Sequence, residues 1–552
     1  MERIRVRAEK ALSDELAAMG CQVEPPLFDY GRDAAHGHIS SPAALKMAKR
    51  LRRPPLEAAE RVGARLREVL GDDVERVEVA RPGFVNVFPS AQYYHRLLRH
   101  IRDQGSAYGR WAVGGSEAVQ VEFCSANPTG PLTVAHGRQA AVGDVLASIL
   151  EAVGYAVTRE YFINDSGGQI RRLGESIYSR YAKLFGKDVP LPEGGYQGDY
   201  LIGVAEDIAR KYGDKFLAAT GEDIDRLTAL GVEAMLVLIR KDLEDFGVRF
   251  DSWTSQLELE KSSLVDAVVA DLKARGLCYE RDRAVWLKTA EFGDSEDRVL
   301  VKSDGTYAYR APDIAYHKRK FDLGFKRVID LWGPDHHAHV ITMKAALRAI
   351  GLDPSAFHVL IVQHCTLFRG GAEVKMSKRA GDFITLAEVV EEVGKDNVRY
   401  FFVMRRTDSH LDFDLEVAKA QSLDNPVYYV QYAHARIRSI QKKAVEERGY
   451  RREELTSESV DLAPLDARDL ELASILDKYP DVVLGSAQTL EPHRITDYLE
   501  ELARAFHNWY GQCQVLSDER SLSLARLYLI ECIRIVIANG LTLLGVSAPS
   551  EM

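Results

Sequence analysis

The spacing of hydrophobic positions changes along this chain, and the changes mark out its parts. Through residues 1–110, helical spacing alternates with two strand-like runs, 74–79 and 84–88, set around Arg81-Pro82-Gly83. They predict a pair of strands in a small α+β module. A strand at Val119-Gln120-Val121-Glu122-Phe123 then leads through the turn Ser125-Ala126-Asn127-Pro128-Thr129-Gly130-Pro131 into a helix that begins at Thr133. That helix carries Val142, Val145, Leu146, Ile149 and Leu150 on one face; Gly154 ends it and Val157 opens the next strand. Short apolar runs at 327–332 and 358–362 suit strands buried on both faces of a parallel sheet. This order predicts an α/β fold with a Rossmann-like doubly wound parallel sheet.

Two stretches break the alternation. From about 167 to 285 the sequence turns helical and strongly charged, with Gly194-Gly195 and Gly198 marking loops, which predicts a helical insertion between the halves of the sheet. Beyond about residue 407 no strand signal returns; helical spacing at 425–443, 465–478, 495–515 and 522–544 predicts an all-α helical bundle. The expected domains are residues 1–110 (α+β), 111–405 (sheet domain, insertion at about 167–285) and 406–552 (all-α). A chain of 552 residues is too long for a single core.

Composition narrows little further. Hydrophobic content of 46% and charged content of 28% belong to an ordinary globular protein. A net charge of −10 argues against nonspecific polyanion binding, although a locally basic groove would suffice to grip one structured nucleic acid. Cys21, Cys124, Cys278, Cys365, Cys513 and Cys532 include no Cys-x-x-Cys pair, so neither a zinc knuckle nor a disulfide framework is expected. The N-terminus is charged and amphipathic rather than an apolar signal core, and the apolar stretch 527–546 is cut by Glu531, Arg534 and Asn539. A cytoplasmic chain with a buried helix, outside any membrane, is the expectation.

Candidate chemistry sits in two segments far apart in sequence. Val374-Lys375-Met376-Ser377-Lys378-Arg379-Ala380-Gly381 clusters three cations around a hydroxyl on a glycine-flanked loop; it is either a polyphosphate cradle or a solvated basic loop. The turn before Thr133 is stiffened by Pro128 and Pro131, Gly130 permits close approach, and the helix after it turns free N–H groups toward whatever binds there. Thr133 and His136, three residues apart, can face one ligand; the alternative is a capping threonine beside a surface histidine. An acid such as Glu122 inside an apolar strand requires a partner or a function.

Taken together, Thr133-Val134-Ala135-His136 and Lys375-Met376-Ser377-Lys378 resemble the two signatures of class I aminoacyl-tRNA synthetases. The segments Glu122-Phe123-Cys124-Ser125-Ala126-Asn127-Pro128-Thr129-Gly130-Pro131, Lys378-Arg379-Ala380-Gly381-Asp382-Phe383 and Asp424-Asn425-Pro426-Val427-Tyr428-Tyr429-Val430-Gln431-Tyr432-Ala433-His434-Ala435-Arg436 are similar to bacterial arginyl-tRNA synthetases. The resemblance implies activation of arginine by ATP, with magnesium carried in the substrate complex, followed by transfer to tRNA(Arg) by a monomer. By the same resemblance, Thr133, His136, Lys375, Ser377 and Lys378 carry catalysis on the phosphates. Pro128, Gly130, Ala135, Gly333, Asp335, His339 and Met376 fall to the nucleotide, and Tyr428, Tyr432 and Arg436 to the anticodon. The N-terminal module would contact the tRNA as well.

For arginine itself, a planar, permanently charged guanidinium is best held by carboxylates. The resemblance assigns Tyr309 and Asp313 of Tyr309-Arg310-Ala311-Pro312-Asp313 to the guanidinium, and Glu122 and Asn127 to the α-amino and carboxylate groups. Helix capping is the alternative for Asp313. Gly333-Pro334-Asp335-His336-His337-Ala338-His339 is similar to the family's ribose loop; zinc is the competing reading, disfavoured because no cysteine lies near. The aromatic and basic residues after 425 suit splayed bases, or else a helix with core tyrosines. The chain departs from the family at Thr133, where histidine is usual, and at Ala135, where glycine is usual. The methyl group at 135 is expected to weaken ATP binding. Rival readings are another class I synthetase, a nucleotidylyltransferase, or a catalytically silent tRNA-binding paralogue.

Overall fold

The computed structural model describes residues 2–25, 27–31, 36–374 and 384–552. Its central sheet has five parallel strands: β1 (Ala118–Glu122), β2 (Ala156–Ile163), β3 (Ser252–Ser255), β4 (Arg327–Trp332) and β5 (Phe357–Ile361). Their order is β5-β4-β1-β2-β3. The chain therefore winds outward from β1 in one direction and from β4 in the other. Loops at the carboxyl ends of β1 and β4 diverge to leave a crevice, the usual ligand site of such sheets.

Three helices matter for that crevice. Helix α1 (Val134–Ala152) links β1 to β2, α2 (Arg310–Asp322) precedes β4, and α3 (His337–Ala349) links β4 to β5. Val142, Val145, Leu146, Ile149 and Leu150 are all buried, as their spacing predicts. Gly143 lets α1 lie close on the chain leaving β1: a Cβ there would come within 2.1 Å of the Phe123 ring.

The charged stretch after 167 differs from its helical expectation. It is helical at Gly168–Leu184, Tyr200–Tyr212 and Gly221–Asp245, but Ser252–Ser255 then joins the main sheet as edge strand β3, with Trp253 stacked on Tyr161 at 4.3 Å. Cys278–Arg281, Ala284–Leu287 and Arg298–Val301 form a separate antiparallel sheet. Its hairpin turns through Asp282 and Arg283, both left-handed (φ 52° and 60°), where the sequence offers no glycine to announce the turn. A strand also returns after residue 407. Leu411–Asp414 pairs in parallel with Cys365–Arg369, burying Leu411 and Phe413.

The N-terminal segment has a four-stranded antiparallel sheet that includes Val74–Ala80 and Phe84–Pro89, as expected. The C-terminal segment packs the helices Pro426–Arg448, Ala467–Thr489, His493–Gln512 and Arg520–Leu544. Asn425 starts the first by accepting hydrogen bonds from the Val427 and Tyr428 amides, with Pro426 at the first helical position. Helix Arg520–Leu544 is long and apolar enough to cross a membrane, yet most of its length is buried inside the protein. The ends of the chain meet at Asp477, whose fully buried carboxylate accepts from the Tyr93 hydroxyl (2.9 Å) and pairs with His38 Nε2 (2.9 Å).

Candidate active site

A cavity of about 690 Å³ opens at the carboxyl ends of β1 and β4. Chain direction changes sharply there. Immediately after Glu122, the last residue of β1, Cys124 (φ 69°) and Ser125 (φ 31°) both take left-handed backbone, a conformation that costs roughly 1–3 kcal/mol per residue and gathers at functional sites. The turn is held by the Phe162 amide donating to Ser125 Oγ (3.1 Å) and by Ser125 N–H donating to the Phe123 carbonyl (2.9 Å).

The register of the sheet builds the cavity floor. Asp330 of β4, Glu122 of β1 and Glu160 of β2 are direct neighbours across three strands, so their side chains stand in one row on one face. All three are buried. Like charges side by side on a sheet repel, and helix α2 lies across the row to answer them. Lys320 Nζ donates to Glu122 Oε2 (2.6 Å) and Asp330 Oδ1 (2.9 Å). The Tyr316 hydroxyl contacts Glu122 Oε2 (2.8 Å) and Glu160 Oε1 (3.3 Å). His317 Nε2 meets Asp330 Oδ2 (2.8 Å), and its Nδ1 lies 3.1 Å from Asp313 Oδ1. Asp313 Oδ2 is 2.6 Å from His339 Nε2.

The charges follow from these contacts. Burial alone would raise Asp313, but His317 and His339 outweigh it and hold the carboxyl well below its usual range. Burial would likewise lower His317, and Lys320 adds to that, yet Asp313 and Asp330 push it up to about 10, so it is a cation at neutral pH. Burial raises Glu122 against the pull of Lys320, whereas Lys320 and His317 hold Asp330 low. At the cavity floor Glu122, Asp313 and Asp330 are thus met by Lys320, His317 and His339, with Glu160 alongside in the row.

The predicted residues distribute unevenly. Glu122, Asn127, Ala135, His136, Tyr309, Asp313, Gly333, Asp335 and His339 all line the cavity. Asn127 donates to Gln169 of the helix Gly168–Leu184 (2.9 Å). Pro128 and Gly130 lie behind the wall: the space beside Gly130 is taken by Tyr200, whose hydroxyl a Cβ would meet at 2.8 Å. The close approach at Gly130 is to Tyr200, which donates to the Thr129 carbonyl (2.7 Å). Thr133 caps α1, and its N–H and hydroxyl each lie 3.1 Å from His136 Nδ1. Lys375, Met376, Ser377 and Lys378 fall outside the described residues. The segment after them is placed, and Thr385 bridges to Thr133 while the Leu386 amide donates to the Leu132 carbonyl (2.8 Å). Among the described residues, no cluster of three histidine, cysteine or acidic side chains has metal-binding geometry.

On the helical segment, Tyr428 stacks on Tyr432 at 5.7 Å and Tyr432 on His507 at 5.8 Å. Arg436 lies over Tyr432 and Tyr510, at 4.4 and 5.0 Å. His507 and Tyr510 were not singled out from sequence, although both follow Phe506 on one helix. Tyr316, His317 and Asp330 of the cavity lining, and Lys320 and Glu160 buried beside it, were missed. Their signal was present: 309, 313, 316, 317 and 320 repeat at helical spacing, and Glu160 and Asp330 are acids inside strands.

The doubly wound sheet with its cavity at the switch point is that of a class I tRNA synthetase. The family signature described as "tRNA synthetases class I (R), catalytic domain" matches residues 99–186 and 206–426. Those of the "Arginyl tRNA synthetase N terminal domain" and the "DALR anticodon binding domain" match 7–88 and 430–552. The chain is 47% identical to arginine--tRNA ligase of Citrifermentans bemidjiense over 522 residues, 94% of this chain and 93% of that protein. It is 45% identical to the Geobacillus kaustophilus arginine--tRNA ligase over 556 residues, covering 99% and 97%. In fold it is similar to Thermus thermophilus arginyl-tRNA synthetase, with a TM-score of 0.79 at 22% identity, over 99% of this chain and all of that one. The chain belongs to the arginyl-tRNA synthetase family.

Proposed function

We propose that this protein attaches L-arginine to tRNA(Arg) in the cytoplasm, with ATP and its magnesium as the activating substrate complex. The observation that carries this reading is the acidic floor of the cavity, where Asp313, Glu122 and Asp330 suit a substrate bearing a guanidinium and an ammonium. Asp313 and Tyr309 receive the guanidinium. Each Asp313 oxygen keeps a second lone pair beside its histidine contact, so a forked donor can still be accepted. Glu122 and Asn127 take the α-amino and carboxylate groups.

An oxygen of the arginine carboxylate then attacks the α-phosphorus of ATP, and the bond to the bridging oxygen breaks with its electron pair leaving on pyrophosphate. Such a step needs positioning and charge neutralisation more than covalent help. Thr133 and His136 at the start of α1, with Lys375, Ser377 and Lys378, serve the phosphates. Gly333, Asp335 and His339 serve the ribose. A hydroxyl of the terminal tRNA ribose next attacks the activated carbonyl, losing its proton as AMP departs. The stacked Tyr428 and Tyr432, clasped by Arg436, offer a platform for unstacked anticodon bases. Residues 1–110, 111–405 and 406–552 would act as the N-terminal tRNA-contacting, catalytic and anticodon-binding domains of a monomer.

Aminoacylation of bulk tRNA with each amino acid in turn tests the reading. Charging with arginine alone is expected; charging with another amino acid contradicts it, and none at all favours a tRNA-binding paralogue. A finer expectation concerns Ala135, whose methyl group is exposed on the cavity wall. Ala135→Gly is expected to lower the ATP KM by about 3- to 10-fold, the effect of relieving one obstructing methyl group. An unchanged or higher KM would contradict that.

A further inference from the structure

We infer that Lys320 is a positioning residue for the substrate, pinning one oxygen of Glu122 so that the other is presented to the cavity. This rests on the reading of the cavity as the arginine site. Lys320 is almost fully buried, and its ammonium lies between two acids of the cross-strand row rather than reaching solvent. Its donation and that of Tyr316 converge on the same atom, Glu122 Oε2. Glu122 Oε1 accepts the Ser125 hydroxyl at 3.2 Å, and Ser125 itself lines the cavity. The two oxygens of Glu122 are thus divided between the protein interior and the substrate side. A carboxylate beside Asp330 and Glu160 would otherwise rotate away from its neighbours or take up a proton.

Lys320 also opposes the effect of burial on Glu122. The groups that face Glu122 are Lys320, Tyr316 and His317 from α2, Asp330 from β4 and Glu160 from β2. Burial already raises Glu122 even with the lysine present. Without it, an acid flanked by two others takes up a proton more readily and loses its attraction for an ammonium group. The residue does not touch the reacting atoms, so its effect falls on arginine binding and not on the chemistry of the phosphates.

The test is arginine-dependent ATP–pyrophosphate exchange, with tRNA present, by wild type, Lys320→Met and Tyr316→Phe. Circular dichroism and thermal unfolding check that each variant is folded. Lys320→Met is expected to raise the arginine KM by about 100-fold and Tyr316→Phe by about 5-fold, the cost of losing a charged and a neutral contact to a buried carboxylate. The ATP KM should stay within twofold in both. In Lys320→Met the arginine KM should fall more steeply with rising pH than in wild type, as Glu122 regains its charge. The desamino analogue 5-guanidinopentanoate, which has no ammonium for Glu122, should inhibit wild type and variant about equally. An arginine KM within twofold of wild type in both variants overturns the inference. So does an equal loss for arginine and the analogue, since general loosening would produce that. If Lys320→Met does not fold, Tyr316→Phe decides by the same two criteria. Absence of arginine-dependent exchange in wild type would instead defeat the functional reading beneath.

Discussion

Asp313→Ala is expected to abolish arginine activation, lowering kcat/KM for arginine by about 10³- to 10⁴-fold, while binding of tRNA stays within about twofold of wild type. The size follows from leaving a guanidinium, which cannot shed its charge, in a closed site without its acceptor. The location follows from the fold. Asp313 lies in the first turn of α2, remote from the stacked tyrosines at 428 and 432, and it holds no segment of the helical bundle. Asp313→Asn separates charge from shape, because it keeps an oxygen for His339 Nε2 and removes the negative charge. Its loss should approach that of alanine. An Asn variant that retained a tenth of wild-type activity would mean that hydrogen bonding, and not charge, selects the substrate. Filter binding of tRNA beside arginine-dependent exchange measures both halves of the prediction.

The second large effect is expected far from the cavity. Arg399 is buried where three parts of the chain meet. Its Nε donates to the Leu544 carbonyl (2.9 Å), one terminal nitrogen to the Phe246 and Gly247 carbonyls (3.3 and 3.4 Å), and the other to Asp144 Oδ2 of α1 (2.6 Å). These partners are the end of the last helix, the end of the insertion helix and the helix that carries His136. Arg399→Met is expected to destabilise the protein by about 3–5 kcal/mol, because several buried acceptors lose a shared charged donor together. Asp144 keeps a second partner in Arg159 at 3.2 Å, which limits the penalty on that side. Urea unfolding followed by tryptophan fluorescence would register the change, and a loss under about 1 kcal/mol would contradict the role given to Arg399.

Much of this arrangement was legible in the sequence because its signals are local. The strand at Val119, the capped helix after Thr133 and the apolar runs at 327–332 and 358–362 need only periodicity and turn chemistry to be recognised. Part of the cavity lining, such as Glu122, Asn127, Tyr309 and Asp313, was named by resemblance. Less visible was what depends on register. Asp330, Glu122 and Glu160 are far apart in sequence and become one row only when β4, β1 and β2 pair. Lys320 takes on meaning only once α2 is laid across that row. Strand β3 was hidden by the charged helices before it, and Leu411–Asp414 by its brevity. Gly130 shows a related limit: a glycine signals close approach without naming the approaching group, and Tyr200 takes the space beside it.

Recognition of the amino acid is expected to rest on the negative charge of the buried acids rather than on shape. Arginine and citrulline have nearly the same shape, and the terminal urea of citrulline carries no charge. In tRNA-supported ATP–pyrophosphate exchange, the ratio of kcat/KM for arginine over citrulline is the most direct measurement of that claim. A preference of at least about 10³-fold for arginine is expected, as for a site whose buried carboxylates would be left unpaired by the neutral analogue. Comparable rates with the two amino acids would contradict it.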